Sequence, residues 1–346
     1  MRLAIALCLS LLPFATAPAL AQSADSTTAV QRWKRTGVLS LDVTQGSFSD
    51  NWAGGDNGSF VWVANLNSTA EKQFGPRFNL QNRLELAYGQ TAQQVQQANS
   101  TKRVWQTPDK TTDRILFEST GRFTTGSWAE PYAGLRLDSQ FRDESYAPVA
   151  ILDFNPVKLK ESAGMIRVFV KTADREAVSR LGVGARQTIG RSINAVTLAT
   201  EHFTSSDGGL EWQTNVTQPL FGSKVVYKGE LLIFQALIYS QATALNDYVA
   251  KLRTGDATQP ADPHAENVAD FWKAPDVNFQ NTFTTHITRY LGVNLFVQWV
   301  YDKFDNAANV NPSQNLDVLS PEVSKNIRKS GQFKETLALN FKFSIF

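Results

Sequence analysis

The segment Thr336–Phe346 reads TLALNFKFSIF. Leu337, Leu339, Phe341, Phe343 and Ile345 share one parity, and Asn340, Lys342 and Ser344 share the other. Successive side chains of a strand point to opposite sides, so this pattern predicts a strand with one apolar and one polar face. The pattern recurs upstream. Phe78, Leu80, Leu84, Leu86 and Tyr88 oppose Asn79, Gln81, Arg83 and Glu85, and Ile115, Phe117 and Phe123 oppose Glu118 and Arg122. Val225, Tyr227, Leu231, Ile233, Leu237 and Tyr239 oppose Lys224, Lys228 and Glu230. Val277, Phe279, Phe283 and Ile287 oppose Asn278, Gln280 and His286, and Val293, Leu295, Val297, Trp299 and Tyr301 share a face. These runs are longer than the roughly 5–6 residues of a typical globular strand and match the about 9–11 that a tilted strand needs to cross a bilayer.

Strands are expected near 36–47, 57–70, 77–90, 112–125, 131–143, 178–189, 192–204, 209–219, 223–240, 276–288, 291–304 and 331–346. The links alternate. FGP, GSWAE, GRS, FGS and RYL read as short turns; Phe48–Asp56, Thr91–Thr111, Asp143–Ala177, Gln241–Pro275 and Asp305–Ser330 read as longer loops. SSDGG at Ser205–Gly209 falls on the long side and is short. This layout predicts a closed antiparallel transmembrane β-barrel of about 12 strands, within a range of about 10–14 because MIRVFV (Met165–Val170) reads as a further strand. Closure follows from energetics, since an unpaired backbone group in hydrocarbon costs several kcal/mol. Tyr88, Trp128, Tyr132, Tyr227, Tyr239, Tyr290 and Tyr301 are expected at the two interfaces. ALNDYVAKLR spaces Leu245, Tyr248, Val249 and Leu252 for one short amphipathic helix in the Gln241–Pro275 loop.

The chain opens MRLAIALCLSLLPFATAPALAQ, with Arg2 before an apolar core and Ala19-Leu20-Ala21 as a cleavage site. Residues 1–21 therefore read as a signal peptide, 22–35 as a flexible segment and 36–346 as the barrel domain. The single cysteine, Cys8, lies in the leader, so the mature chain is expected to hold no disulfide and no thiolate site. The rest holds no apolar run near the roughly 20 residues of a membrane helix. A net charge of +2 with scattered signs argues against a nucleic-acid partner.

Between the first two expected strands lies SDNWAGGDNGS (Ser49–Ser59). It lacks the Lys of a phosphate loop and the spacing of a calcium loop. Its Gly and Asn residues read as suppliers of positive φ in an outward turn. This stretch, above all Asn51, Trp52, Gly54 and Gly55, resembles the hallmark of a bacterial family of unknown function, DUF3078. NRLELAYG (Asn82–Gly89), NPVKLKESAGMIRVFVK (Asn155–Lys171) and GVGARQT (Gly182–Thr188) are similar to that family as well. The resemblance implies an outer-membrane-like barrel of a Gram-negative bacterium and no established activity. The final Phe346 is similar to the terminal aromatic of such barrels, one step out of phase with Ile345, Phe343 and Phe341.

Enzyme motifs are missing: no H-E-x-x-H, no G-x-S-x-G, and Gln187 stands where GVGARQ would need a third Gly. His202, with Glu201, Ser205, Ser206 and Asp207, is the one cluster that suits a hydrolase on the barrel rim. His264 reads as a loop residue and His286 as a lumen hydrogen-bonder. No enzyme activity, cofactor or metal is expected. The inward faces are expected to carry Arg83, Glu85, Glu118, Arg122, Arg136, Asp138, Arg142, Glu211, Lys224, Lys228 and Glu230. Their mixed signs suit a water channel and a salt-bridged plug equally. The expectation is a monomeric outer-membrane barrel passing small solutes. Its partners would be the membrane lipids and the barrel assembly machinery, and the alternatives are a structural or surface-binding role or a hydrolase.

Overall fold

The computed structural model describes residues 32–47, 57–97, 103–172 and 174–345. Among these, twelve long strands form one closed antiparallel sheet. In chain order they are β1 (Lys34–Gly46), β2 (Ser59–Phe74), β3 (Phe78–Gln96), β4 (Asp109–Phe123), β5 (Glu130–Ser139) and β6 (Val157–Lys171). There follow β7 (Glu176–Ile193), β8 (Thr200–Leu220), β9 (Val225–Tyr239), β10 (Asp276–His286), β11 (Leu291–Tyr301) and β12 (Gln332–Ser344). Each strand pairs with the next, and β12 returns to β1, so the twelve close into a ring; a short strand at Arg103–Trp105 adds to the end of β3 alone. The expected leader and the motif residues Asn51, Trp52, Gly54 and Gly55 lie outside the described residues, as does Phe346.

Short links join the strands at the end that holds the start of β1 and the close of β12, and longer ones join them at the other. The exception is the six-residue link 194–199, on the long side. The strand number agrees with the sequence reading. Met165–Val170, read as a further strand within the Asp143–Ala177 link, is the last part of β6, which starts earlier, at Val157. The expected strand at 192–204 straddles the 194–199 link, its last residues and the expected 209–219 form one strand, β8, and GRS lies inside β7. The SSDGG stretch looks like a turn but sits inside β8, where the register against β9 slips between Gly208 and Gly209. A Cβ on Gly209 would overlap the Gln235 carbonyl, so the bulge requires glycine.

That bulge reverses the parity of β9. Phe234 and Ala236 point inward, Leu237 and Ile238 are both exposed, and Tyr239 turns inward. Tyr239 is thus not an interfacial aromatic. Tyr132 is not one either: it is buried in the lumen, with the Arg180 guanidinium 5.7 Å from its ring centre. Elsewhere the outward parity holds. On β12 it exposes Phe333, Leu337, Leu339, Phe341 and Phe343 while Ala338 and Asn340 are buried inside. Aromatic side chains gather at the short-link end, where Phe74, Phe123, Trp128, Phe169, Phe221 and Tyr290 are exposed.

The links 240–275 and 302–331 fold together into a cap with its own apolar core. Helix α1 (Ala242–Thr254) buries Leu245, Tyr248 and Val249, as its spacing predicts. A 3-10 turn at Val268–Lys273 adds Val268, Ala269 and Phe271, and α2 (Leu316–Ser324) adds Leu316, Leu319 and Val323. Tyr239 and Phe304, at the barrel rim, complete this core. Among the described residues no helix is long and apolar enough to cross a membrane.

Candidate functional site

The lumen has two unlike walls. The inward faces of β3–β9 carry interlocked charges. Arg83 on β3 donates to Glu230 on β9 at 2.9 Å and pairs with Glu85 at 2.7 Å. In a ring of twelve, β3 and β9 are six strands apart, so the Arg83–Glu230 pair is a chord across the barrel. On one side of it Arg180 reaches Glu118 and also donates to Gln213 and Thr120. Arg136 holds Asp138 at 2.5 Å and Glu230 at 3.5 Å, and Lys160 pairs with Glu211. Glu211 and Gln213 are fully buried, and Glu118, Arg136, Lys160 and Arg180 nearly so. Each buried charge faces an opposite one, the condition under which charges persist away from water.

On the other side of the chord the wall of β10, β11, β12, β1 and β2 is mostly amide and hydroxyl. Gln280, Thr282, Thr284, Gln298 and Asn65 are half-buried and Asn67 is exposed. They form a lattice in which Gln298 and Gln280 donate to Asn278 at 2.9 and 3.2 Å, and Thr284 donates to Asn294 at 2.9 Å. Asn65 and Asn340 donate to Asp42 at 2.9 and 2.7 Å. Most of this wall is half-buried, though Ser40 and Asn340 are buried, while the charged wall holds the most deeply buried lumen residues, Glu118, Arg136, Lys160, Arg180, Glu211 and Gln213, beside half-buried Arg83 and Glu85.

The cap closes over the long-link end. Asn306 donates to Asp207 at 2.9 Å and accepts from Thr188 at 2.9 Å, and the Ser205 hydroxyl donates to its carbonyl. Lys158 on β6 pairs with Asp305 at 2.7 Å, and Arg328 pairs with Asp302 and Asp305 at 3.1 and 3.2 Å. Asn309 and Gln314 donate to Glu201 at 3.2 and 2.9 Å. Between cap and charged wall lies a cavity of about 440 Å3, lined among others by Asp138, Gln140, Lys158, Arg191, Asp305 and Arg328.

Of the residues the sequence assigns to the lumen, Arg83, Glu85, Glu118, Arg136, Asp138, Glu211 and Glu230 join the charged wall. Arg122 pairs with Glu130 at 3.3 Å toward the short-link end, and Lys228 has inward parity on β9. Two assignments are corrected. Arg142 lies in the 140–156 link, in a two-residue strand pairing with Leu152–Asp153, and Lys224 is exposed in the turn before β9. Periodicity does not point to Arg180 or Lys160; around Lys160, outward Glu161 and the small Ala163 and Gly164 blur the alternation of β6. The hydrolase cluster does not converge: Ser205 and Asp207 are buried on the inward parity of β8, whereas His202 is exposed on the other.

Residues 43–145 match the family of unknown function DUF3078. The matched stretch runs from the end of β1 through β5 into the link after it and includes Arg83, Glu118 and Arg136. The chain is similar to the translocator domain of the autotransporter NalP from Neisseria meningitidis, at 9% identity and a TM-score of 0.34, over 92% of this chain and 90% of that one. It is also similar to the COG4313 outer membrane channel from Pseudomonas putida F1, at 11% identity and a TM-score of 0.36, over 92% and 98% of the two chains. No curated protein matches the sequence.

Proposed function

We propose that this chain is an outer-membrane barrel that conducts small polar solutes along the amide-lined wall of its lumen, with the cap controlling access. The observation that carries this reading is the division of the lumen by the Arg83–Glu230 chord into a wall of interlocked charges and a mostly half-buried wall of Asn, Gln and Thr. A wall of amides and hydroxyls offers water-like partners to a solute without the field that a ring of one sign would impose. Membrane residence is supported by the exposed apolar parity, the aromatic residues at the strand ends and the leader-like N-terminal sequence.

The test is conductance of the folded mature protein in planar bilayers. Small steps that grow when residues 302–331 are replaced by a short Gly-Ser link support the reading. Silence from both forms, with heat-modifiable migration proving folded barrels, overturns it. A surface-binding role is the second reading. It is favoured by a cavity of about 280 Å3 between the cap and the links 140–156 and 194–199, lined among others by Tyr146, Glu201, Gln314, Glu322 and Lys325.

A further inference from the structure

Where the first strand meets the last, the ladder is incomplete. Pairing of β1 with β12 runs from Val38↔Ser344 to Val43↔Leu339 and stops. Both strands continue. Thr44, Gln45 and Gly46 remain in β1, and their positions in the same register, Ala338, Leu337 and Thr336, remain in β12. On their other sides these residues stay paired, to β2 and β11. One side chain spans the break: the Thr44 hydroxyl donates to the Leu337 carbonyl at 2.9 Å. A hydroxyl thus stands where backbone pairs belong, and three positions at about 3.4 Å each leave a gap of roughly 10 Å along the strands.

The surroundings of the break have two chemistries. Outside it, Phe333 and Leu337 are 65% and 60% exposed, a level of apolar exposure that hydrocarbon would satisfy. On the inward parity stands Lys334. Its ammonium group makes one long hydrogen bond, to Thr112 at 3.4 Å, and among the described residues no carboxylate lies within ion-pair distance. In the charged wall, by contrast, Arg83, Arg136, Lys160 and Arg180 each meet a carboxylate, whereas among the described residues Lys228 on β9 and Lys342 on β12, like Lys334, have no ion-pair partner. Glu335, next in sequence, has the outward parity and so faces away from that ammonium group.

We propose that the break is a lateral portal for an anionic amphiphile, with a carboxylate or phosphate head drawn to Lys334 and a hydrocarbon tail lying against Phe333 and Leu337. Thr44 is the latch. The inference rests on the reading that the outward face lies in lipid. Hydrocarbon cannot satisfy the unpaired backbone groups of β12. A headgroup and its water can, which is why the portal takes an amphiphile rather than an alkane.

The experiment uses the mature protein in lipid vesicles carrying a trace of photoactivatable probe, with labelled residues mapped by peptide mass spectrometry. One arm uses a diazirine fatty acid and the other a diazirine phosphatidylglycerol, which separates the two sources of the anionic head. Diazirine phosphatidylcholine is the neutral control. The expected result is labelling of the inward residues Thr336 and Ala338 by an anionic probe. That labelling should fall about tenfold in Lys334→Gln, the scale of one lost charged contact, and rise in Thr44→Val. A Thr44→Cys/Ala338→Cys pair, bridged by oxidation or by a short bis-maleimide, should abolish it, and the mature chain offers no competing cysteine. Labelling confined to outward residues such as Leu339 and Phe341, in every variant, overturns the portal and leaves the membrane reading standing. No labelling of the outward face at all overturns the membrane reading instead.

Discussion

At the scale of single residues, the cap is held by a pair of unlike aspartates. Burial and the neighbouring Asp305 charge push the Asp302 carboxyl up, against the pull of Arg328, Lys158 and Arg186. Burial works against Asp305 as well, but Lys158 and Arg328 outweigh it and hold that carboxyl well below the usual range. The two groups therefore give stability opposite slopes. With Asp302 raised, the folded cap binds its proton more tightly than the unfolded chain, so stability rises as pH falls through that raised value. With Asp305 lowered, its contribution is present above the ordinary carboxylate range of about 4 and is lost as pH falls below it. Hydrogen exchange of residues 302–331, corrected for intrinsic rates, should be slower at about pH 5 than at pH 7 and faster again in stronger acid. Asp302→Asn should remove the difference between pH 7 and 5. A monotonic loss of protection from pH 7 downward would contradict the assignment.

At the scale of elements, the cap is a small domain mounted on the rim. Leu245 and Leu319 are fully buried in its apolar core, apart from the ion pairs of the charged wall. Leu245→Ala should cost about 2–5 kcal/mol, the usual range for deleting a buried leucine. That loss should fall on the cap alone: limited proteolysis would cut within 240–275 while heat-modifiable migration stays unchanged. Simultaneous loss of both would show that cap and barrel fold as one unit. The contrast also explains what the sequence reveals. Leu245, Tyr248 and Val249 at helical spacing and the alternating β12 are local signals, legible residue by residue. The β8 strand is not. Its Gly208-Gly209 looks like a turn because the need for glycine arises from Gln235 on the neighbouring strand. The reversed parity of Tyr239 has the same source. The polar parity marks most lumen residues, but which carboxylate meets which guanidinium depends on strands far apart in sequence, as in Arg83 with Glu230.

At the scale of the whole molecule, that chord decides how the barrel divides its interior. Arg83 and Glu230 are 24% and 13% exposed, so each would be left partly buried without the other. The chord's two ends are not equally supported. Arg83 keeps Glu85 as a second partner, whereas Glu230 is held by Arg136 at 3.5 Å and accepts from Gln213 at 3.3 Å. Removing one member leaves the other with only its remaining partners, at about 1.5–3 kcal/mol, the scale of a lost charged hydrogen bond. Arg83→Ala should therefore lower resistance to denaturant more than Glu230→Ala does. The double variant should cost less than the sum, because the pair's desolvation disappears with it. The lumen then reports separately from stability. If the chord separates a filled half from a solvated half, the double variant joins the two, and single-channel conductance rises above that of either single variant. If conductance stays at the native level while the double-mutant cycle shows coupling, the chord braces the barrel without limiting passage, and the constriction lies at the cap.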